Sequence, residues 1–506
     1  MDDYSLAYIK EYYEGIDKSI FTHFLSDDTC NDLDFDDLFT VCDNTSSKIG
    51  QQYLYAKLRT ADCNNSNFEY QEKLIDLIKS KNIHSNIKKN LSKLKSHEAY
   101  YICRLFKSID IPYIRFERYL KIFPLVNILL ISAVFFIPHC FLVLLPVFMF
   151  NMWLHYKNKS NILMYSEIFT QLIFLENVAR NLSKKGLNIN NENIEEALSS
   201  INNINKRSFL IRIQSKFQAD LQIIIWFIFE FVKIILAIEP LIFNRILKDI
   251  EKNIEKIKLL FDFVGRVDSS SSVLTLREQL SSYCIPEIVD DSLSLKAVEM
   301  VHPLVENCIP NNINIFNKSV LITGSNMAGK TTFIRAIGIN TITAFSINTC
   351  FAKSFSIGRF NLDSTIRVSD SVLSEKSYYL EEVLRIKNII NNSQKDIHSL
   401  ILLDELYKGT NTVERIACAK AVLSYLTNNN IVVATTHDLE LCEFLVKDYD
   451  IYNFGEKVVD NLLSFDYLIK KGPPQSRNAI KILKQYGYPP EIIDDSYDIV
   501  SCISSG

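Results

Sequence analysis

The stretch GSNMAGKTT, residues 324–332, places Gly324 five positions ahead of Gly329 and follows the second glycine at once with Lys330 and Thr331. That fills the pattern G-x-x-x-x-G-K-[ST], and its residue types suit one chemistry. A loop curled by two glycines turns backbone N–H groups inward onto phosphate oxygens, and a helix starting there adds its own N–H groups and dipole. Lys330 would reach the β- and γ-phosphates, and the Thr331 hydroxyl would ligate magnesium. Four semi-fixed positions give about 0.02 chance matches in a chain this long. With only 13 glycines in 506 residues, chance is weaker still. Residues 320–323 read as a buried strand and 332–337 as the start of a helix, so the loop has the flanks it needs.

Two further strand-like runs end in groups of the same trade. SLILLDELYKGTNT, 399–412, brings Asp404 and Glu405 to a strand end. There Asp404 would hold magnesium through water, and Glu405 would polarise an attacking water. NNIVVATTHDLE, 429–440, ends in His437, placed to sense or contact a γ-phosphate.

Composition bounds the rest. The length allows two to four domains, and a net charge of −4 gives no global nucleic-acid signal, so any DNA contact must be local. Eleven cysteines occur without a C-x-x-C pair, which argues against zinc and against a disulfide framework. Scattered apolar cysteines such as Cys418 and Cys442 suit a reducing cytosol. The acidic N-terminus lacks the form of a signal peptide. Nine of the thirteen glycines fall at or after Gly324, which separates a helical front portion from an α/β rear portion. Long helix-like stretches are expected at 68–108, 160–185 and 243–264.

One segment breaks the soluble pattern. Residues 122–154 run 33 positions with no charged side chain beyond His139, too long for one simple span and just long enough for a tight helical hairpin broken at Pro138–His139–Cys140. Arg118 and Lys121 flank one end, Lys157 and Lys159 the other, and this placement fits both flanks on the cytoplasmic side. A second apolar stretch, 221–243, carries Glu230 and Lys233 near its middle, which favours an amphipathic or intersubunit helix over a span.

The motifs together resemble the MutS family of DNA mismatch-repair ATPases. LITGSNMAGKTTFIRAIG is similar to that family's phosphate loop, with Thr323, Asn326 and Met327 matching beyond the generic pattern. LLDELYKGTNT resembles its Asp-Glu strand and following loop through Gly409, Thr410 and Thr412, and ATTHDLEL its switch-histidine segment. Residues 369–390 resemble the segment that crosses the dimer, with Ser377 at the serine that touches the partner's nucleotide. HPLVE at 302, IPNNINI at 309 and residues 465–493 resemble the flanks of the same domain, and 38–78 resembles the opening of the family's helical core. Where the family stacks an aromatic on adenine just before the phosphate loop, Cys308 or Ile309 stands here; Phe68-x-Tyr70 and Phe68-Glu69 are not the family's Phe-x-Glu wedge and lie inside the core-like segment.

The resemblance implies a definite architecture. An ABC-type α/β P-loop ATPase domain, 291–506, follows an all-α region with an inserted transmembrane hairpin. The expected parts are an N-terminal extension (1–32), a helical core (33–120), the hairpin (121–156) and a lever-like region (157–290), with no mismatch-reading or connector domain ahead of them. It also implies ATP held by Gly324, Ser325, Asn326, Met327, Ala328, Gly329, Lys330, Thr331 and Thr332, with Ser377 contributed across a homodimer. Magnesium would lie at Thr331 and Asp404, and Glu405 and His437 would form the catalytic pair. The expected setting is the cytoplasmic membrane, with core and ATPase domains facing the cytosol. Three outputs stay open: action on DNA near the bilayer, an ATP-driven mechanical module working on a membrane protein, and mismatch repair proper with a lost or borrowed reader.

Overall fold

A computed structural model describes residues 3–20, 24–61, 65–106, 122–189, 193–217, 231–235, 238–290, 292–325, 327–367, 378–394, 397–459, 462–473, 480, 483 and 487–504. The chain divides into two compact units. The first comprises 1–17, 43–56 and 66–275; the second comprises 18–42, 57–65 and 276–506. The division is not linear along the chain, because 18–42 and 57–65 join the C-terminal unit.

The helices of the front portion are, in order, α1 (Asp3–Gly15), α2 (Asp27–Asp32), α3 (Phe35–Cys42), α4 (Lys48–Thr60), α5 (Asn65–Ile78), α6 (Lys81–Leu91), α7 (Phe123–Phe136), α8 (Phe141–Ser183), α9 (Asn193–Phe217), α10 (Ile238–Lys252) and α11 (Ile254–Gln279). In the first unit the helix-like periodicity read from the sequence produces apolar stripes, with Leu172, Leu175, Val178, Ala179 and Leu182 of α8 all buried.

One close helix contact uses small residues instead. α11 carries Asp268 followed by the serines at 269–272, all buried. Asp268 accepts from Ser46 N (2.9 Å), Ser47 N (2.8 Å) and Ser47 Oγ (2.5 Å) at the start of α4. Ser272 Oγ accepts from Asn44 N at 2.7 Å, and Ser271 Oγ lies 2.9 Å from His84 Nε2. Gly50 and Gly265 make this contact possible: a Cβ at Gly50 would sit 2.1 Å from Asp268 Oδ2, and one at Gly265 2.6 Å from Tyr53 Cγ.

The apolar segment forms two helices around the break expected at Pro138–Cys140, which is a short 3₁₀ turn. Only the helix through 138–183 is long and apolar enough to cross a bilayer, among the described residues. α7 has 14 residues and so rises about 21 Å, against about 30 Å of hydrocarbon. Side chains on both sides of the turn face outward, with Phe135 at 84% and Phe136 at 87% exposure in α7 and Leu142 at 75% in α8. Of the second apolar stretch, 221–230 lie outside the described residues; 231–235 are helical. The Ile235 carbonyl accepts from Asn127 Nδ2 (2.5 Å) and Asn151 Nδ2 (3.3 Å).

The second unit holds two sheets. Its strands are β1 (Glu287–Val289), β2 (Ser294–Met300), β3 (Asn311–Phe316), β4 (Ser319–Thr323), β5 (Ser354–Gly358), β6 (Asn361–Thr365), β7 (Ser399–Asp404), β8 (Ile431–Thr435), β9 (Tyr449–Val459) and β10 (Leu462–Lys471). They form a four-stranded sheet ordered β1-β5-β2-β3 and a six-stranded sheet ordered β10-β9-β4-β8-β7-β6. The larger is parallel except for the β9–β10 hairpin. Strands such as LILL and IVVA have no polar alternation because both faces are covered, as parallel sheets require. Its helices are α12 (Lys330–Ile347), α13 (Tyr378–Asn392), α14 (Thr412–Leu426), α15 (Leu439–Leu445) and α16 (Pro490–Ser504). Ile386, Leu423, Leu426 and Leu441 from α13–α15 share a core with Ile401, Leu403 and Val432 of the sheet. α12 packs on β7 and β8, and Gly338 permits the approach, since a Cβ there would lie 2.9 Å from Leu402 Cδ1.

The N-terminal piece of this unit is tied in by carboxylates. Asp32, fully buried, accepts from Ser364 Oγ (2.7 Å), Ile366 N (3.0 Å) and Arg367 N (2.9 Å). Asp34 pairs with Arg335 of α12 at 3.1 Å and with Arg367. Segment 27–34 thus braces both the edge strand β6 and the helix that begins at the phosphate loop.

Candidate nucleotide site

The loop between β4 and α12 is shaped by its two glycines. Gly324 has φ +136° and Gly329 φ +100°, backbone that favours glycine. There is no room for more: a Cβ at Gly324 would lie 2.7 Å from the Phe454 carbonyl oxygen, and one at Gly329 3.3 Å from Tyr467 Cδ1. Lys330 opens α12, and its ammonium turns back to donate to the carbonyls of Gly324 (2.6 Å) and Ser325 (3.0 Å). Ser325 Oγ is buried and has no hydrogen-bond partner among the described residues. A glycine-walled loop with an inward lysine and an unsatisfied buried hydroxyl fits an anionic ligand such as the phosphates of ATP.

The parallel sheet brings the other motifs to the same edge. β7 ends at Asp404, whose Oδ2 accepts from Thr331 Oγ1 at 2.8 Å and whose Oδ1 accepts from Thr435 Oγ1 at the end of β8. These hard oxygen donors suit Mg²⁺, which keeps most of its shell as water and phosphate oxygen and asks little of the protein.

Glu405 follows with φ +54°, its N–H bonded to Thr435 O. Its Oε1 lies 2.5 Å from His437 Nε2 and 3.9 Å from Lys330 Nζ, and its Oε2 lies 3.2 Å from Lys408 Nζ. Burial pushes this carboxyl up, but the hydrogen bond and charge of His437, helped by Lys408, outweigh it and bring it down to about 2. Such a group is ionised throughout the physiological range and is a weak proton acceptor, suited to orienting water and steering charge. The switch segment is itself fixed, since Arg415 forks onto Asp438 at 3.0 and 2.7 Å.

The sequence-derived residues Gly324, Ser325, Met327, Ala328, Gly329, Lys330, Thr331 and Thr332 therefore share one loop and helix start. Asp404, Glu405 and His437 converge on it. Asn326 and Ser377 lie outside the described residues. Sequence reasoning missed Lys408, three residues after Glu405, and Thr435, the first threonine of ATTH. It also missed the wall of the adjoining cavity of about 380 Å³, where Tyr467 and Phe454 of the β9–β10 hairpin face Cys308, Ile309 and Met327. No local pattern marks Tyr467; only the hairpin brings it beside Gly329.

Lys330 gives the site a pH dependence. Burial pushes its ammonium down to about 8, against the opposing pull of Glu405 and Asp404. Below pH 8 it is charged and ready for phosphate; above, binding must first take up a proton. The apparent affinity for ATP is expected to fall roughly tenfold per pH unit from 8 upward. Fluorescent-nucleotide titrations at pH 7–9.5 check this, and Lys330→Ala should lose both the slope and most of the affinity.

A parallel sheet with a glycine loop leading into a helix, and Asp-Glu at the end of a nearby strand, defines a P-loop nucleotide-binding domain. Residues 320–504 match the family model for MutS domain V. The chain is 29% identical over 285 residues to the DNA mismatch repair protein MutS of Clostridium tetani, covering 53% of this chain and 32% of that protein. It is 30% identical over 270 residues to that of Aquifex pyrophilus, covering 51% and 31%, and 29% over 282 residues to that of Petrotoga mobilis, covering 53% and 34%. Residues 320–504 thus carry a MutS domain V, and about half of the chain is similar to these MutS proteins. The chain spans about a third of the length of these curated relatives.

Proposed function

We propose that the chain is a membrane-anchored, MutS-like ATPase that hydrolyses Mg²⁺-ATP at sites shared across a homodimer and acts on DNA. The observation that carries the chemistry is the convergence of Thr331, Asp404 and Thr435 on one side, and of Lys330, Glu405 and His437 on the other, at the ends of β4, β7 and β8. In this reading the loop N–H groups and Lys330 hold the β- and γ-phosphates. Thr331 and Asp404 would hold Mg²⁺, which neutralises charge on the phosphates when bound. Glu405 orients the attacking water, and His437, 3.3 Å from Lys330 and bonded to Glu405, lies where it links γ-phosphate to carboxylate. Tyr467, Phe454 and Ile309 line the cavity for the base. Ser377 closes the partner's site. Mixing Lys330→Ala chains with Ser377→Ala chains should restore activity, because one of the two sites in such a heterodimer contains only unaltered parts. No rescue, with heterodimers shown to form, would count against sharing.

The DNA reading rests on kinship with proteins named for DNA mismatch repair. Steeply salt-dependent binding of duplex by the purified chain supports it; no binding at low salt favours the mechanical module acting on a membrane protein.

Membrane anchoring rests on the large apolar side chains exposed around the turn, Phe135, Phe136, Phe141 and Leu142, the kind of surface that marks an interaction or membrane site. The hairpin enters the cytoplasmic membrane from the cytosolic face and returns to it. Residues 157–220, with nine Lys and Arg, stay inside. On a cysteine-free background, a single cysteine at position 184 should resist an impermeant reagent in intact cells. Labelling there from outside would establish two separate spans instead. Reaction at position 139 would show that the tip reaches the far surface.

A further inference from the structure

Cys284 and Cys350 stand opposite one another in an isolated antiparallel bridge. Their backbones exchange both hydrogen bonds, Cys284 N to Cys350 O at 3.1 Å and Cys350 N to Cys284 O at 2.9 Å. A pair that exchanges both bonds sets its Cα atoms about 5.5 Å apart, inside the roughly 4.4–6.8 Å window for a disulfide. Cys350 Sγ lies 3.6 Å from the Asn340 carbonyl inside α12. The bridge lies at a joint. Cys284 follows α11 and Cys350 follows α12, the helix of the phosphate loop. Arg277 in the last turn of α11 already grips the same cap, donating to Asn348 O (2.8 Å) and Thr349 Oγ1 (2.9 Å). Neither sulfur has a part in the nucleotide chemistry, which lies at the other end of α12.

We propose that Cys284 and Cys350 are a reversible dithiol site, oxidised by peroxides, whose disulfide staples the segment after α11 to the end of the phosphate-loop helix. The two cysteines divide the work. Cys284 is half-buried and meets solvent, whereas Cys350 is fully buried. The neighbouring Cys350 lowers the Cys284 thiol, while burial and the neighbouring Cys284 hold the Cys350 thiol well above its ordinary value. The Cys284 thiolate therefore attacks the peroxide first. One peroxide oxygen is transferred to give a sulfenic acid, and the other leaves as hydroxide, which takes up a proton as water. The Cys350 sulfur then attacks the Cys284 sulfur. The S–S bond forms, the S–O bond breaks, and the departing hydroxyl leaves as water with the Cys350 proton. Two thiols are oxidised and one hydrogen peroxide is reduced to two waters; an added thiol reverses the bond.

The test uses the full-length chain, purified under reduction, exposed to graded hydrogen peroxide, alkylated and digested. A peptide joining Cys284 to Cys350 should accumulate before the exposed Cys418 is modified, and dithiothreitol should remove it. Thiols counted after denaturation should fall by two from the eleven of the chain. In C350S, Cys284 should be trapped by dimedone as its sulfenic acid; in C284S, Cys350 should stay reduced at the same dose. Recovery of both cysteines as free thiols once Cys418 is oxidised would overturn the proposal. So would a Cys284 sulfenic acid that persists in the unaltered chain, trapped by dimedone added after the peroxide is removed, with no peptide joining Cys284 to Cys350. Both of those readings need no variant to fold.

Discussion

Glu405→Gln is expected to slow ATP hydrolysis by roughly 10²–10³-fold while leaving ATP binding intact or slightly tighter. The carboxylate is held by His437 at 2.5 Å and Lys408 at 3.2 Å and brought down to about 2, so it carries a full negative charge at neutral pH. That charge serves the transition state, where water must be aligned on phosphorus, more than it serves bound ATP, whose own charge it repels. Gln keeps the shape and removes the charge. The expected signature is a collapse in turnover with dissociation constants unchanged or lower, read by phosphate release beside nucleotide titration. Hydrolysis at the parental rate would remove Glu405 from its assigned role.

The second large effect lies far from the chemistry in sequence. Gly50→Ala is expected to destabilise the helical unit by about 3–5 kcal/mol, combining overpacking with disruption of buried hydrogen bonds to a carboxylate. Nothing about the φ of Gly50 demands glycine; the constraint is space. The new methyl group would lie 2.1 Å from Asp268 Oδ2, an atom already engaged by Ser47 N and Ser47 Oγ. α4 and α11 must then separate, and Asp268, buried throughout, loses its donors without gaining water. A urea unfolding series measures the loss. A midpoint change worth less than about 0.5 kcal/mol would mean that the two helices do not meet as described.

These two sites differ in how far the sequence discloses them. The phosphate loop, Asp404, Glu405 and His437 are legible because phosphate chemistry fixes residue type and spacing within a few positions, and a covered parallel strand announces itself as an unbroken apolar run. The turn at Pro138–Cys140 is legible for a similar local reason. Gly50, Gly265 and the buried serines at 269–272 are not. A close helix contact built from small polar residues leaves no apolar period, and a serine run reads in isolation as a solvated linker. Asp32 and Asp34 are hidden differently, since their partners Ser364, Arg335 and Arg367 are some 300 residues away. Tyr467 reaches the cavity only through the pairing of β10 with β9. In these cases the determinant is a tertiary contact between residues whose types and spacing along the chain do not announce it.

Phosphate release by the purified full-length chain, with Lys330→Ala prepared in parallel, tests the central claim most directly. Turnover that saturates with ATP, requires a divalent cation and vanishes in Lys330→Ala is the expected result. An unaltered chain that binds ATP and Mg²⁺ yet releases phosphate no faster than Lys330→Ala, at concentrations where it is dimeric, would contradict it.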